Sequence, residues 1–507
     1  MSNTFKGTPS RRAFLKMSAA AGLASFAGPL AALDVPTVAG LPAANGPLHW
    51  LDSGGQKGEF IKATLPEFGK VNGFDVVYDG LPWNEIGTIL PLGIRNGSAP
   101  DTFNLPQGME PSVALAEGWI QPYDDYFADI AAFKAAYPAG SFVEGVNVFG
   151  GKTYGFPFST ERRFNNALLF DRAKLAEAGY DKIGPELALT YDEMRDAAKK
   201  ITENSGGRSF GFIIGGNQLG RWGDSVTMLA QRAGAKVGNS ALIQGLDFAT
   251  GEYAFGSDEY VAAVELLLAM RDDGSVFPGV LTINAPQARE FITQGAAGMI
   301  IQGPWNVPIW EATAPQFDFG VSPGPVPTAD QQNNPVYVAQ LPNTGNMMWL
   351  NKAAKNPHQA AAYFAWLGSL DGQVAYANVA SCADPAIFPE TIALADLSER
   401  AVQMLNMAER LVRIAPNPMI ANPDLSKVAA AYVDPTPNLS QAIQGLFAGQ
   451  LTDVRKTLTG VADARNKALD DAIAVAKAAG ANVSREDFAF AAWDSSRDFT
   501  NDDYAAL

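Results

Sequence analysis

Short runs of β-branched and aromatic residues alternate along the chain with segments whose apolar positions recur every three or four residues. That alternation is the pattern of parallel sheets covered by helices. The runs predict strands at 48–51, 74–78, 101–105, 167–170, 210–214, 298–302 and 347–350. Between them, Thr190 and Glu193 are spaced as a capping box, and Met194, Ala197, Ala198 and Ile201 continue it as one apolar face. Tyr260, Val264, Leu267 and Leu268 make a second stripe behind Ser257, a candidate N-cap. From about Leu394 the strand signal fades while helical stripes continue, from Leu397 to Leu411 and from Val454 to Ile473, so the C-terminal part is expected to be mostly helical. Segments rich in Pro, Gly and Asn at 323–327, 333–335 and 416–423 mark turns or crossings between domains. Residues 494–507 are acidic and polar and are expected to form a loosely held tail.

Composition narrows the function. A chain of 507 residues implies two to four domains at about 150 residues each. With 47% hydrophobic and 18% charged residues it can bury a sizeable core. The net charge of −16 repels a phosphate backbone, so nucleic acid is not an expected partner. The single cysteine, Cys382, excludes an internal disulfide, and with only His49 and His358 beside it the chain lacks the ligands that zinc, copper or haem need. Calcium or magnesium held by oxygen ligands stays open, but no calcium-loop motif is present, so no metal ligand is assigned and no cofactor is expected. The stretch 145–153, GVNVFGGKT, misses the phosphate-loop spacing by one residue, and G-x-S-x-G, H-E-x-x-H and G-x-G-x-x-G are all absent. No basic residue adjoins Cys382 within 381–385, so inert packing is its expected role.

The N-terminus carries a targeting signal. Ser10-Arg11-Arg12-Ala13-Phe14-Leu15-Lys16 precedes an uncharged stretch from Met17 to Leu33 and resembles a twin-arginine export signal, assigned to residues 1–33. Residues 17–33 are too short and too weakly apolar for a membrane span, and no later window reaches the required length. The expected destination is the periplasm.

Seven segments stand out in order. Trp83-Asn84-Glu85 opens a helix ending at Gly97-Ser98, and Ala99-Pro100-Asp101-Thr102-Phe103 follows as a strand. Leu115 to Pro122, Gly151 to Pro157, Asp171 to Gly179 and Thr190-Tyr191-Asp192-Glu193 come next. Phe291 through Gly303-Pro304-Trp305, and Gly345 to Leu350 followed by Lys355-Asn356-Pro357, complete the series. Together, in this order, they resemble the carbohydrate-binding family of ABC-importer solute-binding proteins that includes maltose-binding protein. The chain departs from the pattern between Pro157 and Phe170, which carries two or three extra residues, and it runs beyond the family's usual end near Asp470.

The resemblance implies an α/β fold of the two-lobed, type II periplasmic binding protein, with hinge strands and an interlobe cleft. Lobe 1 is expected at 46–158 plus 342–394, and lobe 2 at 159–341 plus 395–507, including the helical extension. It implies a monomer that binds a sugar or oligosaccharide without transforming it and passes it to permease subunits. An acidic sugar or polyol phosphate is the alternative solute for the same class, and an exported glycoside-acting enzyme, built on two cleft carboxylates, is the rival activity.

A sugar presents C–H faces to aromatic rings and hydroxyls to planar polar groups. The aromatic candidates are Trp83, Trp222, Trp305 and Trp349; Trp305 follows a strand end, where α/β proteins bind ligands, and aligns with the family's stacking tryptophan. Polar candidates are Asp52 and Ser53, Asn104 and Gln107, Glu161 and Arg163 near the hinge, and Asn346. Ser53-Gly54-Gly55 is either an anion-binding helix start or an ordinary turn. Adjacent residues on an extended strand face opposite ways, so at most one of Arg162 and Arg163 is expected to meet the cleft.

Overall fold

The computed structural model describes residues 35–507 apart from Gly108 and Ser240. The segment expected to be an export signal, residues 1–33, lies outside the described residues. Two mixed sheets organise the chain. The first runs, in spatial order, Val76–Gly80, Leu48–Asp52, Thr102–Phe103, Met348–Leu350 and Gly155–Phe156. Its first three strands are parallel, whereas Met348–Leu350 is antiparallel to both neighbours. The second runs Phe319–Ser322, Ala167–Asp171, Ala297–Gln302 and Phe210–Ile213, with Ala167–Asp171 antiparallel on both sides.

Both sheets thus combine parallel pairs with one antiparallel strand each, and these two strands share a cause. Parallel neighbours need a crossover helix. Ala167–Asp171 and Met348–Leu350 instead enter their sheets directly from segments that bridge the two halves, with no helix to reverse the chain. Those bridging segments lie side by side: Thr160 N–H donates to the Pro385 carbonyl (2.9 Å), Glu161 N–H to the Leu341 carbonyl (2.8 Å) and Asn343 N–H to the Ser159 carbonyl (3.0 Å). Two lobes thus meet at a hydrogen-bonded hinge.

Local signals fold as their chemistry dictates. Thr190 caps helix Tyr191–Asn204 in a reciprocal box with Glu193, and Met194, Ala197, Ala198 and Ile201 are buried beneath it. Ser257 occupies the N-cap of Asp258–Asp272 without a side-chain capping bond. Each lobe has its own core. Trp50, Phe60, Phe68 and Phe364 pack in one; Leu168, Ile300, Val321 and the apolar faces of Glu399–Leu411 and Val454–Ala478 pack in the other.

The end of the chain is held, contrary to its polar composition. Phe499 N–H donates to the Ile414 carbonyl (2.8 Å), Asp498 Oδ1 accepts from Ile414 N–H (3.0 Å), and the Tyr504 hydroxyl accepts from Asn417 N–H (2.7 Å). Phe499 and Tyr504 meet edge to face at 4.7 Å. Two aromatic anchors among acidic neighbours outweigh the average polarity of the segment.

Candidate functional site

A cavity of about 900 Å³ lies between the lobes and in front of the hinge. Both sheets feed it. On the first side, the turn after Leu48–Asp52 contributes Ser53, Gly54 and Gly55, and the turn after Thr102–Phe103 contributes Gln107 and Glu110. Trp83, first residue of helix Trp83–Asn96, adds an indole. On the second side stand Gln218 and Arg221 at the start of helix Gly220–Arg232, and Trp305 just beyond Ala297–Gln302. Glu161, Arg163, Asn343, Asn346 and Asp384 line the wall nearest the hinge.

Trp305 stands where it does because Gly303 has no side chain. A Cβ built on Gly303 would come within 2.2 Å of Cη2 and Cζ3 of the indole, so only glycine lets the ring lie back over the strand end. The Arg221 guanidinium covers this ring, 5.4 Å from its centroid.

Behind the lining, buried polar groups hold the turns. Asp52 is fully buried: Oδ1 accepts from Gly54 N–H (2.7 Å) and the Tyr78 hydroxyl (2.9 Å), and Oδ2 accepts from Trp50 Nε1 (3.0 Å). Asn104, also fully buried, accepts on Oδ1 from Ser53 N–H (3.0 Å) and Lys57 Nζ (2.8 Å) and donates from Nδ2 to the Met347 carbonyl (2.8 Å). The Lys57 ammonium further donates to Ser53 Oγ (3.0 Å) and Asn346 Oδ1 (3.4 Å). Burial lowers the Lys57 pKa against the opposing pull of Asp52 and Asp384.

The two hinge arginines point to different places. Arg163 lines the cavity and donates from Nη1 to Asp384 Oδ1 (2.7 Å), whose same oxygen accepts from Asn346 Nδ2 (2.6 Å). Burial opposes the Arg163 charge, but Glu161 and Asp384 outweigh it and raise the pKa. Arg162 faces a separate cavity of about 290 Å³ behind the hinge, where it pairs with Asp498 and Glu409. Burial pushes the Glu161 and Glu110 carboxyls up, with Arg163 opposing at Glu161.

Of the sequence candidates, Ser53, Trp83, Gln107, Glu161, Arg163, Trp305 and Asn346 converge on the cavity. Four others do not line it. Asp52 and Asn104 are the supports just described. Trp222 is fully buried in the second core, donating from Nε1 to the Gly216 carbonyl (2.9 Å), because it is one position round the helix from the cleft-facing Arg221. Trp349 is fully buried in the first sheet, where the ring of a strand residue points to the core face. Ser53-Gly54-Gly55 leads into helix Gly55–Val71, whose cap Gly54 makes no side-chain capping bond: Asn104 and Asp52 accept the N–H groups of Ser53 and Gly54, and Gly54 and Gly55 adopt φ of 69° and 71°.

Lys57, Gln218, Arg221, Asn343 and Asp384 are cavity or support residues that sequence reasoning missed. Asp384 lay in view beside Cys382, and Arg221 beside Trp222. Cys382 itself is fully buried, its thiol donating to the Pro304 carbonyl (3.4 Å), and burial raises its pKa. Among the described residues no His, Cys, Asp or Glu group is arranged to hold a metal, and no helix is long and apolar enough to cross a membrane.

Comparison with known proteins points the same way. Residues 52–374 match a family described as bacterial extracellular solute-binding protein. Curated binding proteins of Brucella abortus and Brucella suis are 25% identical over 278 residues, covering 52% of this chain; the chain spans 61% of their length. The GacH receptor of Streptomyces glaucescens shares the fold at a TM-score of 0.61 and 16% identity, covering 84% of this chain and 99% of that one. The maltotriose binding protein of Thermus thermophilus has a TM-score of 0.58 and 21% identity over 83% and 100% of the two chains. A maltose-bound protein of T. maritima gives 0.61 and 17% over 82% and 98%.

Proposed function

Since the chain belongs to the bacterial extracellular solute-binding protein family, we propose that it binds a sugar or oligosaccharide between its lobes and delivers it, unaltered, to the permease of an ABC importer. The observation that carries this reading is one interlobe cavity with an indole from each side, Trp83 and Trp305, set among amide, hydroxyl and charged side chains. Aromatic rings suit sugar C–H faces and planar polar groups suit hydroxyls. The names of the structural neighbours, a maltotriose binding protein and a maltose-bound protein among them, support the same solute class.

In this reading Ser53, Trp83, Gln107, Glu161, Arg163, Trp305 and Asn346 contact the solute, while Asp52, Asn104 and Lys57 fix the turns that carry them. Lobe 1 comprises 46–158 plus 342–394 and lobe 2 comprises 159–341 plus 395–507. Solute bound to both lobes shifts an open–closed equilibrium toward the closed form. The protein works as a monomer in the periplasm after export by the twin-arginine pathway, a destination supported by the Arg11-Arg12 motif.

The test is a panel of mono- and oligosaccharides screened by thermal shift, followed by titration calorimetry and product analysis. A solute that stabilises the protein and is recovered intact is the expected result. Absence of any saccharide binding refutes the solute class, and release of reducing sugar establishes the glycoside-acting rival.

A further inference from the structure

The three cations that line or support the cavity differ in one respect: whether they already have an acceptor. Lys57 donates to three side-chain oxygens and lies near Asp52. Arg163 is paired with Asp384 at 2.7 Å. Arg221 lines the cavity yet has no ion pair and no side-chain hydrogen bond among the described residues. Asp224, on the same helix, stands outside ion-pair distance of it and accepts instead from Gln244 Nε2 (3.2 Å). From the neighbouring helix Ala285–Thr293, Arg289 adds a second guanidinium without an ion pair among the described residues.

On the geometry of this uncompensated cation we infer that Arg221 reads an anionic group, a carboxylate or phosphate, so that the sugar of the preceding section is an acidic one. The inference rests on that section's assignment of a sugar to this cavity. A guanidinium has five donors and no acceptor, and keeping it half-buried and unpaired is costly unless a ligand completes it. A planar anion matches its fork with two charge-assisted bonds. The indole beneath Arg221 holds the guanidinium in place.

Two further observations point to a missing acceptor on the hinge-side wall. Asn343 Nδ2 and Arg163 Nε both belong to cavity-lining residues, are shielded from water and have no hydrogen-bond acceptor among the described residues. Such buried donors without partners are rare in folded proteins. The electrostatics agree. Burial, with the charge of Arg221 added, brings the Arg289 pKa down to about 10, and burial lowers that of Arg221 against the pull of Asp224. Of the carboxyls that line the cavity, Asp384 is paired with Arg163, and burial raises the pKa of Glu110 and Glu161. Arg162 and Arg163, the arginines prominent in the sequence, are each paired with carboxylates of this chain, whereas Arg221 is a lining cation with no ion pair among the described residues.

The test is titration calorimetry of the purified protein with matched probes: glucuronate and glucose 6-phosphate against glucose, and trigalacturonate against maltotriose. At least one acidic probe is expected to bind tenfold or more tightly than its neutral counterpart, and the carboxylate and phosphate arms identify which anion is read. Arg221→Gln is expected to weaken the acidic probe at least tenfold more than the neutral one. Arg221→Lys, which keeps the charge and loses the fork, is expected to fall between, and it serves as the test should the glutamine variant fail to fold. Neutral probes binding as well as acidic ones, or equal losses for both in the variants, overturn the inference. Neutral binding that Trp305→Ala abolishes, without acidic binding, sinks this inference alone; no binding by any probe in either series sinks the sugar reading with it.

Discussion

Replacing Trp305 by alanine tests the cleft most directly, because the ring is partly exposed there and its position depends on one identifiable neighbour. An indole side chain has about 150–250 Å² of surface. If about a quarter of it closes against a solute, about 50 Å² leaves water on the protein side and a similar area on the sugar. At about 25 cal/mol per Å² that is about 2.5 kcal/mol for a wholly apolar contact. A sugar face is only partly apolar, so a loss of at least about 1.4 kcal/mol, tenfold in Kd, is the expected floor. Gly303→Ala provides the control on geometry. The added Cβ would fall 2.2 Å from the indole and must displace it, so affinity is expected to drop although the tryptophan is still present. Both are read by titration calorimetry with whichever saccharide binds the parent protein, alongside circular dichroism to verify folding. Parent-like affinity in both variants would remove Trp305 from the contact surface and refute the reasoning.

Two other outcomes bear on stability. Asp101 is buried and accepts backbone N–H groups from His49 (2.9 Å), Lys355 and Asn356 (3.0 Å), joining two strands to the start of helix Pro357–Leu367; at about 1–3 kcal/mol per orphaned donor, Asp101→Ala is expected to cost about 4 kcal/mol in urea unfolding, and a loss below about 1 kcal/mol would contradict it. Burial raises the Glu161 pKa above its unfolded value of about 4.3. Its contribution to stability is therefore fully present below that value and is lost as pH rises through the folded pKa, so the parent should lose stability relative to Glu161→Gln between acid and neutral pH; a difference that stays flat across unfolding curves from about pH 4 to 8 would refute the assignment.

How much could be read in advance varied with the range of the interactions involved. The strand beginning near Leu48, the run before Gly303 and the Thr190 capping box were legible because each is decided by residues within a few positions of one another. Trp305 was legible as well, since a tryptophan after a strand end and a Gly-Pro pair has few places to go. Trp222 and Trp349 resisted the same reasoning. An indole beside a cleft residue and an indole in a core are identical in sequence, and only helix phase and sheet face separate them. The tail 494–507 was misread because average polarity hides two anchoring rings, Phe499 and Tyr504.

The chain's own letters determined the alternation of strands and helices, the helical C-terminal part and the aromatic and polar kit available to a binding site, because short-range periodicity and capping chemistry encode them. Tertiary structure alone decided which charges remain free to act. Arg163 finds Asp384 across 221 positions and Arg162 finds Asp498 across 336, whereas Arg221 forms no ion pair among the described residues and feels Asp224 only from beyond ion-pair distance. Neutralisation of a charge depends on what folding brings within a few ångströms of it, and no local pattern carries that information.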